Sequence, residues 1–128
     1  MVFIKSFRNR VWTLPPDIRD LIPSDHICYL IESFVDEMDF SEFEIRFDGS
    51  GHPAYYPHIM CNILIQSMLD RVRSSRSIAR NVRENVVYMY LAEKLQPDFR
   101  TISDFRKENE KLIAKHLKIQ LRRLKILE

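Results

Sequence analysis

Apolar residues recur at helical spacing along most of the chain, whereas the alternation typical of β-strands is scarce. This pattern predicts an all-α, compact multi-helix domain. The first long helix is expected to open at Pro23-Ser24-Asp25, and a short amphipathic helix to follow Ser41 on a pattern that reaches Phe47. The chain has two glycines, Gly49 and Gly51, and they mark its clearest loop.

Polar capping residues divide the second half of the chain into further helices. The segment from Pro57 to about Arg71 is apolar on most sides, which predicts a central core helix. Ser74 or Ser75 is expected to cap the next helix, and Asn85 to interrupt it. Two more helices are expected, at 86–95 and from Thr101 or Ser103 onward. The core of 57–91 is expected to contain Ile63, Leu64, Met68, Ile78, Val82 and Leu91.

A length of 128 residues corresponds to one domain with a single core. We divide it into an extended arm (1–16), a helical core (17–110) and a long C-terminal helix (111–128). No signal peptide or membrane-spanning segment is evident, so we expect a cytoplasmic protein without membrane contact. Cys28 and Cys61 lie in apolar helical patterns and are expected to be buried thiols.

The formal charge of +2 is unevenly distributed along the chain. Residues 1–70 contain five basic and eleven acidic side chains, a balance of −6, whereas residues 71–128 contain fifteen and seven, a balance of +8. This division favours an acidic half that packs and a basic half that faces a polyanion. Composition alone leaves open the plainer interpretation that the basic helices are simply solvated.

Segment 72–81 is the most informative, because its arginines lie beside serines at the expected start of a helix. Hydroxyl groups there cap backbone N–H groups, and arginines reach phosphate oxygens near the positive helix N-terminus. Together with the preceding helix, the segment predicts a helix-turn-helix-like unit whose second helix enters the DNA major groove. The alternative is a solvated basic helix without a ligand. The candidate DNA-binding residues are Arg73, Ser74, Ser75, Arg76, Arg80 and Arg83.

A second basic segment opens the last helix. Its hydroxyl groups are expected to cap the helix or to donate to phosphate. An alternative is that Asp98, Arg100 and Asp104 form local ion pairs that fix the helix start, worth about 0–1 kcal/mol each when exposed. The candidate DNA-binding residues here are Arg100, Thr101, Ser103, Arg106 and Lys107.

The residue types that support other chemistry form no recognisable pattern. The four histidines and two cysteines match no common zinc spacing, so we expect no metal site. The acidic residues of 36–48 lie mostly between apolar positions and are expected on solvated faces rather than around Mg²⁺. Without a phosphate-binding glycine loop or a nucleophile elbow, we expect no catalytic residues and no cofactor.

Several short stretches of the chain, in this order, resemble the N-terminal domain of prokaryotic insertion-sequence transposases of the DDE type, the InsH-like group. The resemblance implies a module that binds double-stranded DNA at the terminal inverted repeats of the element, with the nuclease domain downstream. The stretches are Leu14-Pro15-Pro16, 21–26, 51–57, Val72-Arg73-Ser74-Ser75-Arg76, 83–86, 90–92 and 97–107.

The resemblance fades from about His116 onward, in a basic, leucine-rich tail. A frameshift in a transposase gene explains such a tail, and then the coding DNA read one frame over restores family-like sequence. A short protein with its own role is the other explanation. The stripe of Ile113, Leu117, Leu121 and Leu124 is expected to close the core or to pair with a second copy. Two functional alternatives therefore remain, an interaction module that dimerises with or inhibits full-length transposase, and an inert remnant.

Overall fold

The protein is all-α over residues 2–43 and 55–123, which are the residues that the computed structural model describes. A short 3-10 helix, Ile18–Leu21, precedes the α-helices. These ranges contain no strand, so the predicted fold class is confirmed. The helices are α1 (Ile27–Asp36), α2 (Pro57–Leu69), α3 (Ser75–Glu84), α4 (Val86–Leu91) and α5 (Phe99–Arg123).

Helix α2 lies at the centre of the fold. Its residues 59–67 are all buried, and α1, α3, α4 and α5 each pack against it. Nine consecutive residues cover every side of a helix that has about 3.6 residues per turn. A helix that is buried on all sides needs apolar residues on most of its faces, as this segment has. The predicted central core helix is therefore confirmed.

The predicted core is correct at five positions and wrong at one. Met68 is 43% exposed, because α2 leaves the interior in its last turn and ends at Leu69. The five buried side chains come from α2, α3 and α4, so these helices share one core. They are Ile63, Leu64, Ile78, Val82 and Leu91.

Helix α1 begins later than the sequence predicted. It starts at Ile27 rather than at Pro23-Ser24-Asp25, because the Nδ1 atom of His26 accepts a hydrogen bond from the backbone N–H of Cys28 at 3.0 Å. A ring nitrogen therefore satisfies one of the free N–H groups in the first turn of the helix.

The predicted break between α3 and α4 is confirmed at Asn85. This residue ends α3, and its Oδ1 atom accepts the backbone N–H of Val87 at 3.0 Å to begin α4. Helix α4 ends at Leu91, earlier than the predicted residue 95, because Glu93 and Lys94 turn the chain with φ angles of 53° and 68°.

Helix α5 begins at Phe99, so the prediction that Thr101 or Ser103 starts it is wrong. The carboxylate of Asp98 accepts the backbone N–H of Thr101 at 2.8 Å, and its carbonyl accepts the N–H of Ile102 at 3.1 Å. Hydrogen bonds from the backbone and the side chain of Thr101 lower the pKa of Asp98, and the nearby charge of Arg100 lowers it less. A capping carboxylate, rather than a set of ion pairs, therefore fixes the helix start.

Removal of this cap is expected to destabilise the fold in a pH-dependent way. Asp98→Ala should cost about 1 kcal/mol at neutral pH. Because the folded-state pKa of Asp98 lies below its ordinary value of 3.8, the charged cap stabilises the fold above that value. The contribution is lost as the pH falls through the folded-state pKa, so urea midpoints of variant and wild type should converge there. Asp104→Ala, which changes an exposed carboxylate in the same helix, is the control, and a pH-independent difference for Asp98→Ala would contradict the cap.

The two ends of the chain differ in how they pack. Residues 2–16 lie outside helices and strands, and large apolar side chains among them are 63–98% exposed. In the tail, Ile113 is fully buried, and the His116 ring stacks on Phe43 with ring centroids 6.0 Å apart. Gln120 Nε2 also donates to Glu37 Oε2 at 2.9 Å. Ile113 and Leu117 of the apolar stripe therefore pack within their own chain.

Some predicted features lie outside the described residues. They are the short helix as far as Phe47, the loop at Gly49 and Gly51, and Leu124 at the end of the apolar stripe.

Candidate nucleic-acid interface

Helices α2 and α3 are joined by a tight turn at residues 70–74. Ser74 is the N-cap of α3: its Oγ atom accepts the backbone N–H of Ser77 at 3.0 Å and donates to the Ser77 hydroxyl at 2.8 Å. Ile78 and Val82 fix one side of α3 in the core, with exposed fractions of 0% and 1%. The predicted order of helix, turn and helix is therefore present, and its inner face is set by apolar packing.

The opposite side of α3 carries three arginines. Arg76, Arg80 and Arg83 are exposed, and their spacings of four and three place them on one helical face. Among the described residues, no carboxylate forms an ion pair with any of them; Arg80 Nη2 lies 3.5 Å from the Ser77 hydroxyl. No described carboxylate therefore neutralises their charges.

The start of α5 packs against the start of α3 and brings the two basic segments together. The guanidinium of Arg76 lies over the Phe99 ring, with its Cζ atom 3.9 Å from the ring centroid. An arginine on an aromatic face is attracted by the ring quadrupole, and the contact restricts its side chain. Arg76 is thereby held at the joint between α3 and α5.

Arg106 has a different environment from the one that its sequence position predicted. Its Nη1 atom donates to the backbone carbonyl of Arg73, and its Nε atom lies 4.0 Å from Glu110 Oε1. The side chain is half-buried and ties α5 to the turn before α3. Arg106 therefore supports the turn, while the exposed Arg73 side chain stays in solvent.

The other predicted residues of the second segment do not form one surface. Arg100 and Lys107 are exposed, whereas Thr101 and Ser103 are half-buried within the first turns of α5. Asp104 lies on the same helical face as Arg100 and Lys107 and lowers its positive charge. In the first segment, Ser75 is half-buried at the first position of α3.

A groove of about 440 Å³ lies beside the turn and was not predicted. Arg71, Arg73 and Arg80 line it, together with Ser77 and Glu84. Sequence reasoning missed Arg71, which has a positive φ of 60°. The periodicity of the two helices that flank the turn gave no signal that Arg71 and Arg73 share a groove with Arg80.

Asp70 is the acidic residue nearest to this turn in sequence, and it is engaged by hydrogen bonds on the inner side. Tyr88 donates its hydroxyl to Asp70 Oδ2 at 2.7 Å, and Gln66 Nε2 donates to the same carboxylate at 3.2 Å. Burial, followed by this hydrogen bond, raises the pKa of Tyr88. The carboxylate thus fastens α4 to the end of α2. This contact between separate helices carried no sequence signal.

The histidines and cysteines occupy structural positions. His26 caps α1, and His58 Nε2 lies 2.9 Å from Glu93 Oε2. Cys28 and Cys61 are free and buried, and burial raises the pKa of the Cys61 thiol to about 12. Within 2–43 and 55–123, no three potential ligands are grouped to hold a metal ion, and His52 lies outside these ranges.

Comparison with known families decides the affiliation of the chain. The family described as Transposase domain (DUF772) matches residues 16–108. The chain belongs to this family. The expected resemblance to an insertion-sequence transposase N-terminal region is thereby confirmed, and the match ends close to the point at which the resemblance was expected to fade. No curated protein and no solved structure matches the chain.

The family match includes both basic segments of this transposase domain. One is at the turn before α3, and the other is at the start of α5. It excludes most of the N-terminal arm and the later part of α5. Over the described ranges, the transposase domain has no helix with the length and apolarity needed to cross a bilayer.

Proposed function

We propose that this transposase domain binds duplex DNA at the terminal inverted repeats of an insertion sequence and does not itself catalyse strand transfer. The observation that carries the proposal is the solvent face of α3, where Arg76, Arg80 and Arg83 lie together without carboxylate partners among the described residues. Helix α3 is the second helix of the unit, which is the one that enters the major groove in helix-turn-helix proteins.

Arginine suits both kinds of contact that such a helix makes. Its guanidinium donates two parallel hydrogen bonds to a phosphate, or to the O6 and N7 atoms of guanine. Phosphate contacts fix the position of the protein on the duplex, and base contacts provide the sequence preference. Arg76, held over Phe99 at the joint with α5, and the exposed Arg100 extend the basic surface beyond α3.

Catalysis is assigned to a separate nuclease domain, as the family resemblance implies. The acidic residues Asp36, Glu37, Asp39 and Glu42 are exposed on or after α1, on the elements of the acidic half. They form no group of metal ligands among the described residues. A DNA-binding role in gene transposition also places the domain in the cytoplasm.

Binding of the purified chain to a labelled duplex is expected to depend steeply on salt. Each neutralised phosphate contributes about −0.9 to the slope of log affinity against log salt, so four arginines (Arg73, Arg76, Arg80 and Arg83) predict a slope of about −3 to −4. Fluorescence anisotropy between low and moderate salt measures this slope. Glu37→Ala changes an exposed residue of the acidic half and should leave the affinity unchanged.

A second candidate function is protein association through the N-terminal arm. Val2, Ile4 and Val11 are 98%, 96% and 91% exposed, and Trp12 is 78% exposed. Exposed apolar side chains concentrated in one segment mark a contact surface for a second copy or for full-length transposase. Absent or salt-independent DNA binding, together with concentration-dependent self-association in sedimentation equilibrium, would favour this function over the first.

A further inference from the structure

The turn between α2 and α3 holds an arginine in a conformation that favours glycine. Helix α2 ends in a Schellman motif, in which Val72 N–H donates to the Ser67 carbonyl at 2.9 Å and Arg71 N–H to the Met68 carbonyl at 3.3 Å. This motif requires a left-handed residue, and Arg71 supplies it with a φ of 60°. A side chain with a Cβ atom is less stable there than glycine. Arg71 therefore occupies this position at the expense of local stability.

Arg71 lines the groove beside α3. Arg73 and Arg80 line the same groove, so three basic residues and one acidic residue, Glu84, border it. In the described ranges, neither Arg71 nor Arg73 has a hydrogen-bonded or ion-paired partner for its guanidinium. Three like charges in one groove repel one another unless an anion lies between them. The groove consequently has the charge of an anion site.

The far side of the turn is fixed by α5. Arg106 donates to the backbone carbonyl of Arg73, and Val72 packs against the core. Both contacts use the inner side of the turn, so the backbone from which Arg71 and Arg73 project is fixed while their guanidinium groups stay available. A binding group that is held in place before the ligand arrives loses less conformational freedom on binding.

We propose that Arg71, Arg73 and Arg80 form a clamp for one phosphodiester group of the DNA backbone, with Arg71 as the residue for which the strained turn is retained. The clamp rests on the proposed DNA-binding function and assigns to that surface a contact that positions the duplex. It adjoins the arginine face of α3 and shares Arg80 with it, and so it would fix how deeply α3 enters the DNA major groove. The clamp predicts a loss of affinity that is independent of base sequence.

Arg71→Gly separates binding from folding, because it removes the charge and also relieves the left-handed backbone. The variant is expected to melt at a temperature equal to or higher than the wild type in circular dichroism. Its affinity for duplex DNA at about 0.1 M salt should fall about 5–10-fold, and its salt slope should become less steep, because one fewer cation meets the phosphate. The loss should be equal for duplexes of different sequence.

Lys94→Gly is the matched control. Lys94 also carries a positive charge on a left-handed residue, with a φ of 68°. Its neighbour Glu93 contacts His58 in the first turn of α2, whereas Arg71 follows the last turn, so the two turns lie at opposite ends of that helix. The same loss of charge at Lys94 should leave affinity and salt slope unchanged.

Glu84→Gln provides an independent test of the same groove. Removing its one carboxylate should strengthen duplex binding, because a phosphate in the groove then meets no like charge. The clamp would be overturned if Arg71→Gly kept the wild-type salt slope, or if Arg71→Gly and Lys94→Gly lost the same amount of affinity. Either result would leave the proposed DNA-binding function unaffected. No duplex binding by the wild-type chain at low salt would overturn both.

Discussion

Replacing Arg76, Arg80 and Arg83 together with alanine is expected to weaken duplex binding about 10²–10³-fold near 0.1 M salt. If each arginine neutralises one phosphate, each contributes about 0.9 to the salt slope, and the triple variant should lose almost three units of slope. Competition anisotropy at several salt concentrations measures both quantities. The fold should survive, because all three side chains project from the side of α3 opposite Ile78 and Val82.

A charge-matched control distinguishes binding through the arginine face of α3 from general electrostatic attraction between the protein and DNA. Lys111, Lys115 and Lys118 are exposed on α5 at the same spacings of four and three. Their combined replacement with alanine changes the net charge of the protein by the same amount, but in the part of α5 that follows its contact with the turn at Arg106. A diffuse electrostatic attraction predicts equal losses in the two triple variants. Equal losses would therefore contradict a DNA-binding role for the α3 face.

The Arg76 substitution needs a separate measurement of stability. Its stacking on Phe99 contributes about 0.5–2 kcal/mol by the usual range for such contacts. Arg76→Lys retains the charge and loses the planar stacking group, so its melting temperature reports the stacking while its salt slope reports the charge. If the affinity loss of an Arg76 variant is fully explained by its unfolded fraction, then Arg76 only joins α3 to α5 and does not contact DNA.

The class of the fold and its central helix were predictable because they depend on local periodicity. Segment 57–71 is apolar on most sides, and complete burial is the state that satisfies such a sequence. Capping at Ser74 and the break at Asn85 were predictable for a similar reason, since their side chains bond the backbone within three residues. At the start of α5, Asp98, Thr101 and Ser103 all carry suitable oxygens, and periodicity did not choose between them.

The contacts between helices were not predictable from one sequence. Arg106 reaches the Arg73 carbonyl across 33 positions, and Tyr88 reaches Asp70 across 18. Helical spacing shows which residues share a face, but not which faces of two helices meet. For this reason, the sequence assigned Arg106 to DNA, whereas the structure places it under the turn.

Arg71 was missed because its significance lies in the backbone. A helix end with a left-handed residue is usually signalled by glycine, and both glycines of this chain lie elsewhere, at Gly49 and Gly51. The sequence predicted a helix end near Arg71, but without a glycine nothing indicated that a left-handed residue forms it. The Schellman hydrogen bonds and the positive φ of Arg71 show that this arginine is held in the less stable left-handed conformation.

Leu64→Ala is expected to destabilise the protein by about 2–5 kcal/mol, the range for truncating a buried leucine. Leu64 is 3% exposed on α2, and it lines a cavity of about 260 Å³ together with Val72 and Ile113. The missing carbons would enlarge this cavity, because α2 is held on all sides and has little room to relax. Urea denaturation followed by circular dichroism measures the loss.

Leu69→Ala is the control for this substitution, because Leu69 is in the same helix but is 56% exposed. Its cost should stay within about 0.5 kcal/mol, as for most surface substitutions. Equal midpoints for Leu64→Ala and wild type would place Leu64 at the surface and contradict the central position of α2. The folded fraction of Leu64→Ala should bind DNA with wild-type affinity, because Leu64 is buried behind the turn and is not part of the arginine surface. A loss of affinity beyond the unfolded fraction would mean that packing behind the turn also sets the geometry of the arginines.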